Sequence, residues 1–259
     1  MRQYRFDFLI ELIRRRIIEK YVGSAFVLLW VMLVPLVPLL TNLLIFYYIA
    51  KVPQVKEMGV VGYSIFVFSG LLPYRILQKG LTEGSELITN NMELLKNAIF
   101  PFQFLGMTAL GAILFEFSLQ IIVLLILLFV SGICISLNML LLPVAILLFS
   151  TLILGCIWII SIVGYLLKDI REVINVILLG LVYVTPTMYP LEAAPRTVQK
   201  FIQANPVTHM IVVFRDVWTP GGGGLTISSW IYFAGVSLSL VIIGYLMMRK
   251  VAGIVGDLV

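Results

Sequence analysis

Six long apolar stretches, separated by short polar segments, dominate the pattern of hydrophobic and polar positions along the chain. About 20 apolar residues in a helix cross a hydrocarbon core of ~30 Å. The stretches are continuously apolar and do not alternate, which indicates membrane helices and excludes a membrane β-barrel. The third and fourth are long enough to tilt or to project from the bilayer. The predicted spans are Phe26–Ile49, Val60–Leu81, Phe102–Val130, Met139–Leu166, Val173–Pro190 and Ser229–Met248.

The 25 residues before the first span carry an amphipathic pattern. Apolar residues recur there at spacings of 4, 3, 4 and 4, and charged residues occupy the other positions. This period predicts a helix over residues 4–21 that lies in the membrane interface. Its apolar positions are Phe6, Ile10, Ile13, Ile17 and Tyr21.

A second amphipathic stretch, residues 82–100, follows the second span. An apolar stripe continues out of that span, and acidic and amide side chains lie opposite it. The pattern predicts a short helix at the membrane surface that offers its polar face to a partner outside the lipid. The stripe is Leu81, Ile88, Met92, Leu95 and Ile99, and the polar side carries Glu83, Glu86, Asn90, Asn91 and Glu93.

Prolines shape the end of the fifth span and the segment 191–228 that follows it. Pro186 and Pro190 make the end of the span irregular, which is tolerated only inside protein or beside an aqueous cavity. Beyond it we expect two short helices, Ala194–Gln203 and Asn205–Trp218, the second with an Asn cap followed by proline. Both are too short and too polar to span, so we expect re-entrant or interfacial elements on the outer side.

Composition and charge place these helices in a membrane and orient them. Hydrophobic residues make up 61% of the 259 residues and mean hydropathy is +1.09, whereas soluble domains are about 45–50% apolar.

Thirteen of the 18 Lys and Arg residues lie at the two termini and in the second-to-third and fourth-to-fifth connections. Because cytoplasmic segments carry the basic excess, both termini and residues 82–100 are expected to be cytoplasmic. The net charge of +5 is therefore a topology signal, and no nucleic-acid partner is indicated. The predicted fold class is an all-α integral membrane protein with six transmembrane helices in a single domain, residues 1–259.

Few residues in the chain could take part in catalysis or bind a metal ion. Glu116 is an acid deep in the third span, so it should face the bundle interior or be protonated. A hydrogen bond to a neighbouring helix explains it as well as a functional role does. His209 is the only histidine, and Cys134 and Cys156 lie in apolar surroundings. We therefore expect no metal site, no catalytic site and no cofactor in this chain.

Several blocks, taken in order, resemble the type-2 ABC exporter permeases, and within these the polysaccharide and O-antigen exporter subunits. The resemblance covers essentially the whole chain in order, and several ordered blocks together are far more specific than any one alone. The blocks are KYVGS and LLW, FSGLLPY, the amphipathic loop closing in FP, KDIREVINVILLGLVYVTPTMYP, NPVTHMIVVFRD and the terminal GDLV.

The resemblance implies a homodimer of six-span subunits in the bacterial inner membrane, with two separate ATP-binding cassette subunits beneath it. ATP and magnesium would be bound in those partners, and the substrate would be a lipid-linked polysaccharide. Residues 82–100 would be the coupling helix, with Glu83, Glu86, Asn90, Asn91 and Glu93 facing the ATPase, and 191–228 would be an external gate segment.

A passage for a sugar polymer needs aromatic faces with scattered hydroxyl groups. Two helix faces beside prolines have this character. Belt anchoring or helix packing is the competing explanation for their aromatic residues. The candidate lining residues are Trp30, Thr41 and Tyr48 in the first span, and Asn175, Tyr183 and Thr187 in the fifth.

Two other functions remain open at this point. The same machinery serves related permeases that export teichoic acid, drugs or small lipids, and the residues do not separate these substrates. A membrane-embedded enzyme or an assembly scaffold is the third hypothesis. An intramembrane cluster of ionisable residues would favour the enzyme, and Glu116 is the single candidate that the sequence offers.

Overall fold

The computed structural model describes residues 2–21, 26–92, 102–130, 132, 137–167, 169–218 and 226–256, and all regular elements in these ranges are helical. The α-helices are α1 Arg2–Tyr21, α2 Val27–Leu33, α3 Leu36–Asn42, α4 Pro53–Glu57, α5 Gly59–Ser85, α6 Phe102–Val130, α7 Leu142–Leu166, α8 Ile170–Val184, α9 Arg196–Ala204, α10 Pro206–Trp218 and α11 Ile227–Gly256. A π-helix covers Leu43–Ile49, and short 3-10 helices cover Thr89–Asn91, Leu137–Leu141 and Leu191–Ala193.

Five of the described helical segments are long and apolar enough to cross a membrane, which confirms an all-helical chain with several membrane-length helices. They are Leu29–Ile49, Gly59–Ser85, Phe102–Val130, Leu137–Leu166 and Ile227–Val251.

The fifth predicted span, Val173–Pro190, differs from this picture. Helix α8 has 15 residues and ends at Val184, and Thr185 has extended backbone with ψ of 148°. Thr185 precedes Pro186, and the proline ring disfavours helical backbone in the residue before it. The helix is therefore shorter than the apolar stretch in the sequence.

The first span is interrupted where its prolines predict a kink. Helix α2 ends at Leu33, Val34 and Pro35 form a turn, and α3 leads directly into the π-helix. Proline has no N–H to donate, so helical carbonyls one turn earlier lose their partners. Side chains bond to carbonyls in this region, since Thr41 donates to the Val37 oxygen at 2.9 Å and Asn42 to the Pro38 oxygen at 2.7 Å.

Helix α5 lies at the centre of the bundle. It packs against α6, α7, α8 and α10, and 78% of its membrane-length window is buried, against 17% for the first span. Helix α10 is equally enclosed, since its Phe214 ring lies 5.6 Å from Phe117 of α6 and 5.2 Å from Phe149 of α7. The second short helix is thus a core element of the described bundle.

Glycines bring α7 and α11 into close contact. A Cβ atom at Gly155 of α7 would lie 2.5 Å from the backbone of Leu240 and Val241, and one at Gly244 of α11 would lie 2.8 Å from the Gly155 oxygen. Small residues allow membrane helices to approach this closely, which increases their dispersion contacts.

Candidate functional site

A cluster of charged groups joins α1, α5 and α6. The Glu116 side chain is 4% exposed. Its carboxylate accepts a hydrogen bond of 2.5 Å from the Tyr21 hydroxyl, pairs with Lys20 at 2.8 Å and contacts Lys79. Glu116 lies in the interior, which is one of the two outcomes expected from the sequence, and its ionic partners explain how a carboxylate is accommodated there. The sequence analysis did not find Lys20 or Lys79 as partners, because they lie on other helices.

Glu83 belongs to the same cluster. Its carboxylate lies 3.5 Å from Arg16, 3.0 Å from Lys20 and 3.9 Å from Lys79. The sequence analysis placed Glu83 on the outward polar face of residues 82–100, and the structure turns it toward α1 instead. Desolvation opposes the charge on Lys20, but its hydrogen bond and Coulomb attraction to the carboxylates outweigh that effect and raise its pKa. We call Arg16, Lys20, Lys79, Glu83 and Glu116 the ionic cluster.

The remaining predicted coupling residues lie beyond the end of α5. Glu86 pairs with Arg171 at the start of α8, Asn90 is exposed, and the Asn91 amide donates to the Leu87 oxygen at 2.7 Å. Leu87 and Ile88 are buried beneath them. Glu93, Leu95 and Ile99 lie outside the described residues. The described part of residues 82–100 therefore has one buried side and one accessible side.

The candidate lining residues separate into two groups. Trp30 is 61% exposed, Tyr183 is 64% exposed, and Thr41 and Tyr48 are exposed as well. Thr187 is fully buried and its hydroxyl donates to the Val182 oxygen at 2.8 Å, so it lies behind the Tyr183 face and does not share that surface. The turn after Val184, where α8 ends, rotates Thr187 inward, whereas helical spacing from Asn175 had placed it on the outward face.

Asn175 and Trp30 meet at a cavity of about 520 Å³. The first span forms one wall, and the other walls come from α5, α6 and α8. The Asn175 amide oxygen accepts a hydrogen bond of 3.2 Å from the Thr82 hydroxyl. The polar lining residues are Arg75, Gln78, Lys79, Thr82, Glu83, Glu116, Gln120 and Asn175, and the apolar wall is Trp30, Val31, Val34, Pro35 and Ile76.

Buried Arg215 holds the turn after α8 in place. Its guanidinium donates to the Thr187 oxygen at 2.7 Å and to the Phe66 oxygen at 3.3 Å, and it lies 3.5 Å from the centre of the Phe66 ring. Tyr63 of α5 donates to the Met188 oxygen at 2.8 Å. The carbonyls of the irregular segment are thus satisfied by α5 and α10, which is the requirement for irregular backbone within a membrane bundle. Sequence reasoning gave Arg215 no role, although an arginine inside an apolar helix is itself a signal.

Within the described ranges, no group of three or more His, Cys, Asp and Glu residues is arranged to hold a metal ion. His209 lies 3.0 Å from the Ser229 hydroxyl and 2.8 Å from the Gln203 oxygen, and its ring centre lies 4.2 Å from that of Tyr232, with the two rings tilted by 34°. These contacts tie α10 to α9 and to α11. Cys156 has a free thiol, and Cys134 lies outside the described residues.

Several known proteins are similar to this chain over most of its length. The chain is 24% identical over 242 residues to the O-antigen export system permease protein RfbA of Klebsiella pneumoniae, covering 92% of this chain and 90% of that protein. It is 25% identical over 218 residues to the RfbA of Myxococcus xanthus, covering 83% and 81%. It is also 25% identical over 224 residues to the polysialic acid transport protein KpsM of Escherichia coli, covering 85% of this chain and 84% of that protein.

The sequence profile of the ABC-2 type transporter family matches residues 9–218. This match covers the ionic cluster, the cavity, buried Arg215 and the interface helix from residue 9 onward, and the chain belongs to the ABC-2 type transporter family.

Proposed function

We propose that the chain is the membrane permease subunit of an ATP-driven exporter that moves lipid-linked polysaccharide of the O-antigen type across the bacterial inner membrane. The observation that carries the proposal is the alignment over more than 80% of both chains with proteins named for export of O-antigen and transport of polysialic acid. Those names share one chemical class of substrate, a long glycan, although the glycans themselves differ.

Six membrane crossings follow if α8 and the irregular segment 185–190 together make the crossing between α7 and α9. Both chain ends then lie on one side, which the basic residues indicate is the cytoplasm. The pairing of Thr187 and Met188 carbonyls with Arg215 and Tyr63 supports this arrangement, because it removes unsatisfied polar groups from the end of the crossing.

A homodimer supplies the passage. The exposed aromatic and hydroxyl side chains of the first span and α8 have no cover within the described residues of one copy, and a second copy would enclose them. Such a route offers aromatic faces to the apolar faces of sugars and hydroxyl groups to their hydroxyls. The lining we propose is Trp30, Thr41, Tyr48, Asn175 and Tyr183.

The ATP-binding partner would dock on the accessible side of residues 82–100, at Glu86, Asn90 and the following Glu93. ATP and magnesium would be bound by that partner, and this chain would act as a transporter subunit and not as an enzyme. Because Glu83 pairs with α1, movement of the docking segment would be passed to the interface helix through the ionic cluster.

Export in cells tests the function. A bacterium lacking its own exporter permease would receive this chain with its cognate ATPase, and surface polysaccharide would be measured with an antibody against the glycan. We expect surface glycan with both subunits and accumulation of lipid-linked glycan inside the cell without this chain. Normal surface glycan in its absence would contradict the proposal.

Thiol labelling tests the orientation. In a background without Cys134 and Cys156, a cysteine at exposed Asn90 should resist an impermeant reagent added outside, and one at exposed Ser228 should react. Ser85 is unsuitable, since it is 3% exposed. Labelling of the Asn90 cysteine from outside would contradict the proposed orientation.

A further inference from the structure

A small cavity of about 150 Å³ lies where α5, α7, α8, α10 and α11 meet. No described residue of α6 or of the first span lines it, so it is separate from the cavity at the ionic cluster. The described residues expose no nitrogen or oxygen atom to this space, and we call it the apolar cavity. Its lining includes Leu81, Cys156, Leu178, Val207, Met210 and Leu240.

The chemistry of this wall excludes polar ligands. An ordered water molecule inside a protein needs about two to four polar partners, and the apolar cavity offers it none from the described residues. A phosphate or a sugar would lose its hydrogen bonds to water on entering and would gain none in return. An apolar cavity of about this volume stays dry and accommodates benzene or a xenon atom. The wall therefore selects a small apolar molecule.

Contacts beside the apolar cavity prevent the surrounding helices from closing it. Empty space forfeits dispersion contacts, so a cavity persists where other contacts keep its walls apart. Helices α7 and α11 already approach backbone to backbone at Gly155 and Leu240. The Tyr74 hydroxyl of α5 donates to the Leu178 carbonyl of α8, and buried Arg215 ties α10 to α5. Because these contacts fix the helices, a molecule can fill the space without displacing them.

The apolar cavity also separates α8 from the main core. Buried side chains of α8 form a small cluster with α5, which consists of Tyr74, Ile174 and Leu178. Leu152 and Met210, which line the cavity from the other helices, belong to the main core. A molecule in the cavity would contact both groups at once and would add dispersion contacts between them. Its binding should therefore restrict the motion of α8.

The position of the apolar cavity gives such a molecule a route of entry. Cys156 and Leu240 lie near the middle of α7 and α11, which are both long enough to cross a membrane. Pro206, at the start of α10, lines the cavity and is exposed, so the wall has an entrance there. Small apolar molecules leave water for the hydrocarbon core of a bilayer. The ligand would therefore reach the cavity from the lipid.

We propose that the apolar cavity binds a small apolar molecule of about the size of benzene, and that the bound molecule fixes α8 against the main core. This inference goes beyond the proposed function, because neither the glycan nor the ATPase partner takes part in it. Its tests require no export.

Thermal unfolding of the full chain in lipid nanodiscs tests the binding. Benzene is the probe, and 1,3,5-triisopropylbenzene is the control, since it is equally apolar and too large for the cavity. We expect benzene to raise the thermal midpoint saturably, by about 3 °C at about ten times its dissociation constant. The larger compound should leave the midpoint unchanged. Equal effects of the two compounds would show a general action on the lipid and would overturn the proposal.

Filling the apolar cavity tests its location. Val207→Phe places a ring in the space and should abolish the benzene shift. Val144→Phe is the matched control, because Val144 is exposed on α7 and lies outside the lining, and it should keep the full shift. Cys156→Leu adds less volume, so it serves if the larger change prevents folding, and it should at least halve the shift. A full benzene shift in the filled variants would overturn the proposed site.

Amide hydrogen exchange tests the effect on α8. Benzene should slow exchange in residues 170–184 at least about threefold, because the added contacts oppose local opening of that helix. Exchange in α6 should not change, since α6 contributes no residue to the lining. Saturable binding of benzene with unchanged exchange in α8 would overturn the proposed fixing of that helix.

Discussion

The ammonium group of Lys20 lies 2.8 Å from a carboxylate oxygen of Glu116, so the last turn of α1 is ion-paired with the middle of α6. The Lys79 ammonium group and the Tyr21 hydroxyl contact the same carboxylate. The interface helix is thus fastened to two long helices by charge as well as by the contact between Ile13 and Gly111.

Removing the Glu116 charge should loosen α1. Glu116→Gln removes one of the two carboxylates that Lys20 and Lys79 share, and leaves Glu83 as the other. We expect the free energy of unfolding to fall by about 1–3 kcal/mol, less than for a fully buried pair because the lysines are partly exposed. Faster tryptic cleavage at Arg14–Arg16 and a lower thermal midpoint would report it. Glu11→Gln is the control, since its pair with Arg14 is exposed, and equal effects of both changes would refute the role of burial.

Arg215 should not be replaceable by lysine. Its guanidinium donates to two carbonyls and covers the Phe66 ring, and an ammonium group lacks that planar fork. We expect Arg215→Lys to lower the thermal midpoint and reduce export at least about fivefold, and the exposed Arg196→Lys to change neither. Wild-type stability in Arg215→Lys would show that the turn after α8 is held by other contacts.

Gly155→Ala tests the contact between α7 and α11. The new Cβ would lie 2.5 Å from backbone atoms of α11, which cannot move aside as a side chain does. We expect a destabilisation of about 1–3 kcal/mol, measured by denaturation in detergent. Gly235→Ala on α11 meets no atom within 4 Å and should be neutral or slightly stabilising. Similar stability of the two variants would contradict the close packing.

A charge exchange at Glu86 and Arg171 separates docking from internal pairing. Glu86→Arg should reduce ATPase binding and export, because the docking face loses an acid. Restoration by the added change Arg171→Glu would show that the internal pair is what matters. If Glu86 is a docking residue, the double variant should insert normally but should still bind the ATPase poorly and export little glycan. Pull-down of the ATPase partner provides the measurement.

Tyr48 and Tyr183 test the passage. For lining residues, Tyr48→Ala with Tyr183→Ala should reduce export several-fold and leave the dimer stable, because both side chains are exposed in one copy. Packing residues would lose dimer and export together, as the buried Phe149→Ala should. Size-exclusion chromatography and surface glycan are the paired readouts, and wild-type export by the stable double variant would exclude a lining role.

The sequence by itself determined the membrane helices and the class of protein. Apolar length and helical period are local properties, so the long helices, the interface helix α1 and the two short helices α9 and α10 begin near their predicted residues. Most of them also end there, although α11 continues to Gly256, beyond the predicted end at Met248. The end of α8 before Pro186 is local as well, since proline restricts the residue that precedes it. The position of Glu116 in an apolar run also predicted that its carboxyl group is either paired or protonated, because burying a charge there carries a large desolvation penalty.

Only the tertiary structure decided which residues meet. Lys20 and Lys79 pair with Glu116 because α1 crosses α6 beside α5, and no spacing in the chain records that crossing. The same crossing turned Glu83 toward α1, and the turn after α8, held by Arg215, buried Thr187. Helical periodicity had placed both on accessible faces. Charge pairing depends on distances between helices, and those are set by packing of the whole bundle.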